Sequence, residues 1–480
     1  MAEPALPRRP NSSRTRRAQA WLRAAWHAAR WSRDVARVQL EAAADDDAAH
    51  GPTWSGGNRV DLLPLGETLF PALKAAWQQA RGSIWLETYI FHHDPVALDL
   101  ATTLVDAARR GVQVRVMVDG LGSARSIPQL DALFRDSGVE FMVYRPWRRW
   151  LDLVQRGHWR RLHRKLCVVD AQVAFIGGIN LIDDRYDIHH GWSDQPRLDY
   201  AVRVQGLVAQ QVLWSMRRLW LRTVATGSLQ RQLRRMPGPD VLRSRGARRR
   251  YLDELLTWGG EAPPLREIRA AESRLRSGAA ARPGSPDGLP SVRAALVVRD
   301  NLLQRRTIEH GYTQAIDQAR TSVLLVSPYF YPGQAFRESL KNAAGRGVRV
   351  TLLLQGRVDY RAAAWAARAL YRELIAAGVR IYEYQRAYLH GKVAVVDETW
   401  ATVGSSNIDP LSLLVNREAN LLVRDPHFAH ALAEHVRGEL VHALPINHAN
   451  LDKRVAWWIR PLVALAARLF IAIAGGARNY

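Results

Sequence analysis

Residues 162–170 read LHRKLCVVD, and residues 389–397 read LHGKVAVVD. Six of the nine positions are identical, and His, Lys and Asp keep their spacing. Short runs of β-branched and apolar residues read as strands. A strand places residues i and i+2 on one face. His163 and Lys165 therefore point the same way, as do His390 and Lys392. Asp170 and Asp397 have the opposite parity and fall at the strand's end. A structural or turn-orienting role is expected for them rather than proton transfer. After six intervening residues each copy has a small-residue turn, GGIN at 177–180 and GSSN at 404–407. Glycine there lets backbone approach a ligand closely, and Asn180 and Asn407 can offer amide donors to a phosphate oxygen.

The echo extends beyond these runs. GVQVRVMVDG (111–120) resembles GVRVTLLLQG (347–356), SGVEFMVYR (137–145) resembles AGVRIYEYQ (377–385), and SIWLETYIF (83–91) resembles SVLLVSPYF (322–330). The order is the same in both halves, and the spacing is too long for a solenoid period, so one domain is duplicated. Strand-like runs alternate with helical patterns such as ALDLATTLVDAARRG (97–111), where Leu98, Leu100, Ala101 and Leu104 precede a terminal Gly. The expected fold class is α/β, with mixed sheets flanked by helices in two homologous halves. The expected boundaries are a basic N-terminal arm and acidic linker at 1–53, domain 1 at 54–225, a Gly/Pro/Arg-rich insertion or linker at 226–292, domain 2 at 293–445, and an amphipathic, membrane-associated tail at 446–480.

The 480-residue chain carries 68 Lys+Arg against 45 Asp+Glu, a net charge of +23. Such a surplus calls for a polyanionic partner, nucleic acid or the anionic face of a membrane. The 17 Trp residues lean towards a membrane, because Trp favours headgroup depth. Cys167 is the single cysteine, so no disulfide can form within the chain and a reducing, cytosol-facing location fits. The basic N-terminus has no apolar core and makes a poor secretion signal. VAWWIRPLVALAARLFIAIAG (455–475) is the best membrane candidate, but Arg460, Pro461 and Arg468 interrupt it. Each arginine inside a span costs about 2.5–3.5 kcal/mol, so an interfacial segment is expected, the alternative being a C-terminal helix docked on the core. His92–His93 and His189–His190 are adjacent pairs without metal-ligand spacing, and no metal is expected.

The full double pattern, His-x-Lys with Asp and then Gly-x-x-Asn, resembles the phospholipase D superfamily. The resemblance covers residues 55–225 and 293–440. It implies two half-sites meeting at a pseudo-twofold axis to build one active site, with no cofactor. One imidazole attacks phosphorus and the other protonates the leaving alcohol. The resemblance makes His163 the nucleophile and His390 the acid. It counts Lys165, Lys392, Asp170 and Asp397 with them. Asn180, Asn407 and Ser405 are expected on the substrate phosphate. Each imidazole also needs a carboxylate on its other nitrogen. By position after the motif these are Asp199 in RLDYAVRV and Glu418 in NREANLLV. One departure is visible: Gly178 stands where the second half has Ser405, so the half-sites are not interchangeable.

Residues 162–180, 296–316 and 382–420 resemble the shorter, B-type bacterial cardiolipin synthases. That implies transfer of a phosphatidyl group between two phosphatidylglycerol molecules, releasing glycerol, at the cytoplasmic face of the inner membrane as a peripheral enzyme. A lipid interface has independent support. Tyr144 to His163 is 19 positions, but Tyr384 to His390 is six. In the extra piece Trp147, Trp150, Leu151 and Val154 share one helical face among arginines 148, 149, 156, 160 and 161, as an interfacial anchor would. The competing readings are a nuclease using the same cradle, a phospholipase D that mainly hydrolyses, and a non-enzymatic lipid-binding scaffold. No obligatory nucleic acid is expected.

Overall fold

A computed structural model describes residues 52–146, 160–188, 190–235, 292–299, 306–357, 361–409 and 416–447. The first half runs β1 (Ser55–Pro64), α1 (Leu65–Gln79), β2 (Ser83–Thr88), α2 (Pro95–Arg109), β3 (Gln113–Asp119), α3 (Ile127–Phe134), β4 (Glu140–Tyr144), β5 (Lys165–Val169), β6 (Val173–Gly177), the two-stranded β7 (Tyr186–Asp187) and β8 (Gly191–Trp192), β9 (Tyr200–Gln205) and α4 (Leu207–Arg235). The second repeats it as β10 (Val292–Arg299), α5 (Thr307–Gln318), β11 (Ser322–Ser327), α6 (Gln334–Gly345), β12 (Arg349–Gln355), α7 (Arg361–Ala376), β13 (Arg380–Tyr384), β14 (Val393–Val396), β15 (Trp400–Gly404), β16 (Glu418–Arg424) and α8 (Pro426–Leu440), with β17 (Ala443–Ile446) added at the edge. Both halves belong to one compact unit, Gly51–Met216 with Leu275–Tyr480. A second unit groups Met1–His50 with Arg217–Arg274, of which the described part is the remainder of α4.

The strands form a fifteen-stranded sheet in the order β17-β13-β12-β11-β14-β15-β16-β10-β1-β9-β6-β5-β2-β3-β4. Read from its middle, the order is the same in both directions, which is the signature of a duplicated unit. β1 and β10 pair antiparallel at the junction. Within each half the βαβ units give parallel pairs, β2 with β3 and β3 with β4, then β11 with β12 and β12 with β13. The motif strands join antiparallel, β5 on β2 and β14 on β11.

Local chemistry sets the elements. Asp94 caps α2 by accepting the Ala97 N–H at 2.9 Å, with Pro95 behind it. Asp425 caps α8 on the Phe428 N–H at 2.8 Å, again followed by Pro426. Gly111 and Gly347, at φ +90° and +87°, take the left-handed turn that ends α2 and α6. Each half has its own core. Trp77, Leu100, Leu104 and Val116 pack in the first, and Tyr312, Phe336, Leu340 and Leu352 in the second, all fully buried. These cores lock the parallel strands so that β2, β3 and β4 end on the side where β5 begins. Loops at strand carboxyl ends are where α/β folds build sites.

The basic insertion at 147–159, the interfacial segment at 455–475 and His189 lie outside the described residues. Among those described, no helix is long and apolar enough to cross a membrane.

Candidate active site

The two motif strands meet through a backbone exchange. Leu162 forms a parallel bridge with Arg417, and Leu198 forms one with Leu389. The His163 N–H donates to the Arg417 carbonyl at 3.0 Å, and the His390 N–H to the Leu198 carbonyl at 2.8 Å. Each motif-strand entrance is thus sewn to the segment that precedes β9 or β16 in the opposite half. The residue after each bridge is a buried acid. Glu418 lies 3.0 Å from His163 Nδ1, and Asp199 lies 2.6 Å from His390 Nδ1. The carboxylates are therefore crossed: each half orients the other half's imidazole. A carboxylate accepts, so Nδ1 carries hydrogen and Nε2 is the nitrogen left for chemistry.

Further groups hold the residue before each histidine. Asp119, at the end of β3, accepts the Leu162 N–H at 2.8 Å and two hydrogen bonds from Arg161 at 3.0 and 2.7 Å. Gln355, at the end of β12, accepts the Leu389 N–H at 2.8 Å. These two residues were not singled out from sequence, although they occupy one register position of the VDG/LQG echo. Arg164 alternates to the other face of β5, where Glu87 (2.5 and 3.0 Å) and Ser215 of α4 (2.8 Å) hold its guanidinium.

Lys165 Nζ donates to the His163 carbonyl at 2.7 Å and sits 5.5 Å from the Tyr89 ring centroid. Lys392 Nζ donates likewise to the His390 carbonyl. Burial pushes Lys165 down to about 7, helped by the charge of Lys392. Burial pushes Lys392 down to about 8 against the pull of Asp199 and Glu418. Burial also lowers His163, opposed by Glu418, and lowers His390 well below the usual histidine value, with Lys392, Arg197, Lys165 and His163 adding to the effect. The acids diverge. Burial raises Asp199, whereas for Glu418 the charge of His163 and the hydrogen bonds from His163 and Ser405 outweigh burial and hold it low. Four basic side chains that feel one another's charge in a low-dielectric site hold their protons less tightly. An anion placed among them favours their charged forms again, which is the electrostatic description of a phosphate cradle.

Not every expected residue joins this group. Asn180 is buried, and its Oδ1 accepts the Ile90 N–H at 3.2 Å, which leaves its amide N–H groups as donors. Asn407 is buried at the equivalent place. Ser405, expected on the substrate phosphate, instead donates to Glu418 at 2.6 Å and accepts the Ala419 N–H at 3.0 Å. Its single hydroxyl hydrogen is committed to the carboxylate. Gly178 has no room for that serine, because a Cβ there would stand 2.3 Å from Asp199 Oδ1. Asp170 and Asp397, counted with the catalytic residues by resemblance, lie at the far end of β5 and β14. Asp170 accepts the N–H groups of Arg81, Gly82 and Ser83, and Asp397 those of Arg320, Thr321 and Ser322. Both open three-residue connections between paired strand ends, Val169↔Val173 and Val396↔Trp400, with positive φ at the first two positions, 51° and 57°, then 51° and 50°.

The pattern of the family described as "Cardiolipin synthase, PLD-like domain" matches residues 73–190 and 312–439, one match in each half. Cardiolipin synthase B of Escherichia coli (strain K12) is 36% identical over 409 residues, covering 85% of this chain and 86% of the relative. The chain belongs to the cardiolipin synthase family with phospholipase D-like domains. A more distant relative, the cardiolipin synthase of Geobacillus sp. (strain WCH70), is 29% identical over 400 residues, 82% of this chain and 68% of that one. In fold, the family member described here is similar to the crystal structure of phosphatidylserine synthase from Haemophilus influenzae Rd KW20. The TM-score is 0.56 at 14% identity, covering 87% and 94% of the two chains.

Proposed function

We propose that this protein is a phosphatidyltransferase that makes cardiolipin and glycerol from two phosphatidylglycerol molecules, using no cofactor. The observation that carries the reading is the pair of crossed imidazole–carboxylate contacts beside two buried lysines. The name shared by relatives at 36% identity, cardiolipin synthase B, supports cardiolipin as the product. In the first step Nε2 of His163 attacks phosphorus. The bond from phosphorus to the glycerol oxygen breaks, and His390 gives that oxygen its proton. In the second step His390 takes the proton of a glycerol hydroxyl on another phosphatidylglycerol. That oxygen attacks phosphorus, the P–N bond breaks, and His163 is restored. Lys165 and Lys392, with the amides of Asn180 and Asn407, hold the non-bridging oxygens as charge develops.

Water competes with the lipid alcohol for the phosphatidyl-histidine. A site opening onto a bilayer favours the alcohol. A net charge of +23 supports a peripheral position on an anionic membrane face, the cytoplasmic side of the inner membrane. Mass spectrometry of lipids formed by the purified full chain from phosphatidylglycerol vesicles tests the reading. Cardiolipin with matching glycerol is expected. Phosphatidic acid in large excess over cardiolipin would make the protein a hydrolase, and cleavage of DNA with no lipid product would make it a nuclease.

A further inference from the structure

The two segments that carry the orienting acids are not equivalent in charge. The first half reads Arg197-Leu198-Asp199 and the second Asn416-Arg417-Glu418. They are in register, because Leu198 bridges Leu389 beside His390 and Arg417 bridges Leu162 beside His163. Extended backbone puts residues i and i+2 on one face. Arg197 therefore lies on the face of Asp199, whereas Arg417 alternates away and donates to the Tyr144 hydroxyl at 3.0 Å. Asn416 takes the matching place in the half-site of His163. His390 thus has an arginine two residues before its carboxylate, whereas on the side of His163 the arginine is the buried Arg299 of β10, which pairs across from Glu418 and is tied to the Asn416 carbonyl at 3.2 Å.

Arg197 is held but not saturated. Its Nη2 donates to the Tyr186 carbonyl at 2.6 Å, and the Asp187 carboxylate stands 3.9 Å away. Among the described residues that is its guanidinium's one hydrogen bond, and the side chain is 12% exposed. The hairpin β7–β8 that supplies this carbonyl is itself braced. Tyr186 packs 5.2 Å from His92, and His190 stacks 5.3 Å from Tyr388, two residues before His390. The charge of Arg197 reaches His390, Lys392 and Asp199.

The reaction proposed above needs such a group once. The alcohol that leaves in the first step, glycerol, is neutral. The alcohol that enters in the second carries its own phosphodiester, one glycerol bridge from the reacting phosphorus. Both use the side of the imidazole that handles the alcohol proton. Lys165 and Lys392 already serve the phosphatidyl group on His163, and a second anion left without a cation in a desolvated site is costly. We propose that Arg197 binds the phosphodiester of the acceptor lipid and thereby selects phosphatidylglycerol over water and neutral alcohols. A planar guanidinium fixed by one N–H can present its remaining fork to two phosphate oxygens. This inference rests on the transferase reading.

Phosphatidyl-histidine partitions among the acceptors present, so a product ratio isolates the second step. The full chain is incubated with phosphatidylglycerol vesicles and a fixed amount of ethanol, and cardiolipin and phosphatidylethanol are measured together. Arg197→Gln is expected to lower the cardiolipin-to-phosphatidylethanol ratio about tenfold or more, the loss of one charge-assisted contact. Arg197→Lys is expected to recover part of it. An unchanged ratio in Arg197→Gln, whether both products fall together or neither does, overturns the proposal and leaves Arg197 as a brace for the hairpin. If the unaltered protein forms phosphatidylethanol but no cardiolipin, the cardiolipin-forming reading fails first and takes the inference with it.

Discussion

Each reactive histidine has one nitrogen bound to a buried acid and one left over, so the pair can divide labour without either being redundant. His163→Ala and His390→Ala should each remove transfer by a thousandfold or more while the variants still unfold cooperatively, about 4 kcal/mol of lost transition-state stabilisation. Activity near the original level in either variant, read by cardiolipin formation, would end the shared-site account. The lysines make a different prediction. Lys165 is pushed down to about 7 from an unfolded value near 10.5. Between those values the unfolded chain binds more protons than the folded one, so stability rises with pH across that window. Lys165→Met should therefore be inactive yet melt higher than the parent at pH 7. That advantage should shrink as pH approaches 10, which thermal unfolding across pH would read. At this scale strand parity was the expectation for His163 with Lys165 and His390 with Lys392, but β5 begins at Lys165 and β14 at Val393, so both histidines and Lys392 stand in the segments that lead into those strands. Ser405 was expected on the substrate phosphate, and only the position of Glu418 shows that its hydroxyl hydrogen goes to a carboxylate.

The elements explain the rest of the motif. Asp170 and Asp397 sit at the tips of hairpins β5–β6 and β14–β15 and gather the backbone N–H groups in front of β2 and β11. The same N–H bonds hold both carboxylates below the usual aspartate range against the opposing effect of burial. Stability from these groups is present above the unfolded aspartate value and is lost as pH falls through the depressed folded value. Asp170→Ala or Asp397→Ala should lower stability by about 1–3 kcal/mol through unpaired N–H groups. The folded fraction should keep its turnover, so a large loss of turnover per folded molecule, by activity and circular dichroism together, would restore these residues to the chemistry. Helix α2 was readable over 97–111 from its apolar spacing, and the structure places it at Pro95–Arg109. Its two extra N-terminal residues follow from the Asp94 cap and Pro95. Leu104 is fully buried in the first core, and Leu104→Ala should cost about 2–5 kcal/mol in chemical denaturation.

Over the whole molecule, each half is incomplete. His163 depends on an acid 255 positions away and His390 on one 191 positions away. Mixing His163→Ala protein with His390→Ala protein should restore no synthesis, because both histidines must belong to one chain; recovery of cardiolipin formation on mixing would mean that halves exchange between chains. The repeat and the α/β class were determined by sequence alone, because periodicity and spacing are local properties of a chain segment. The crossing of the two acids, the holding of Leu162 and Leu389 by Asp119 and Gln355, and the placing of Arg197 near Asp199 and His390 were decided only by tertiary structure. They depend on which strand ends meet at the pseudo-twofold axis, and no periodicity within a single segment records its partner hundreds of positions away.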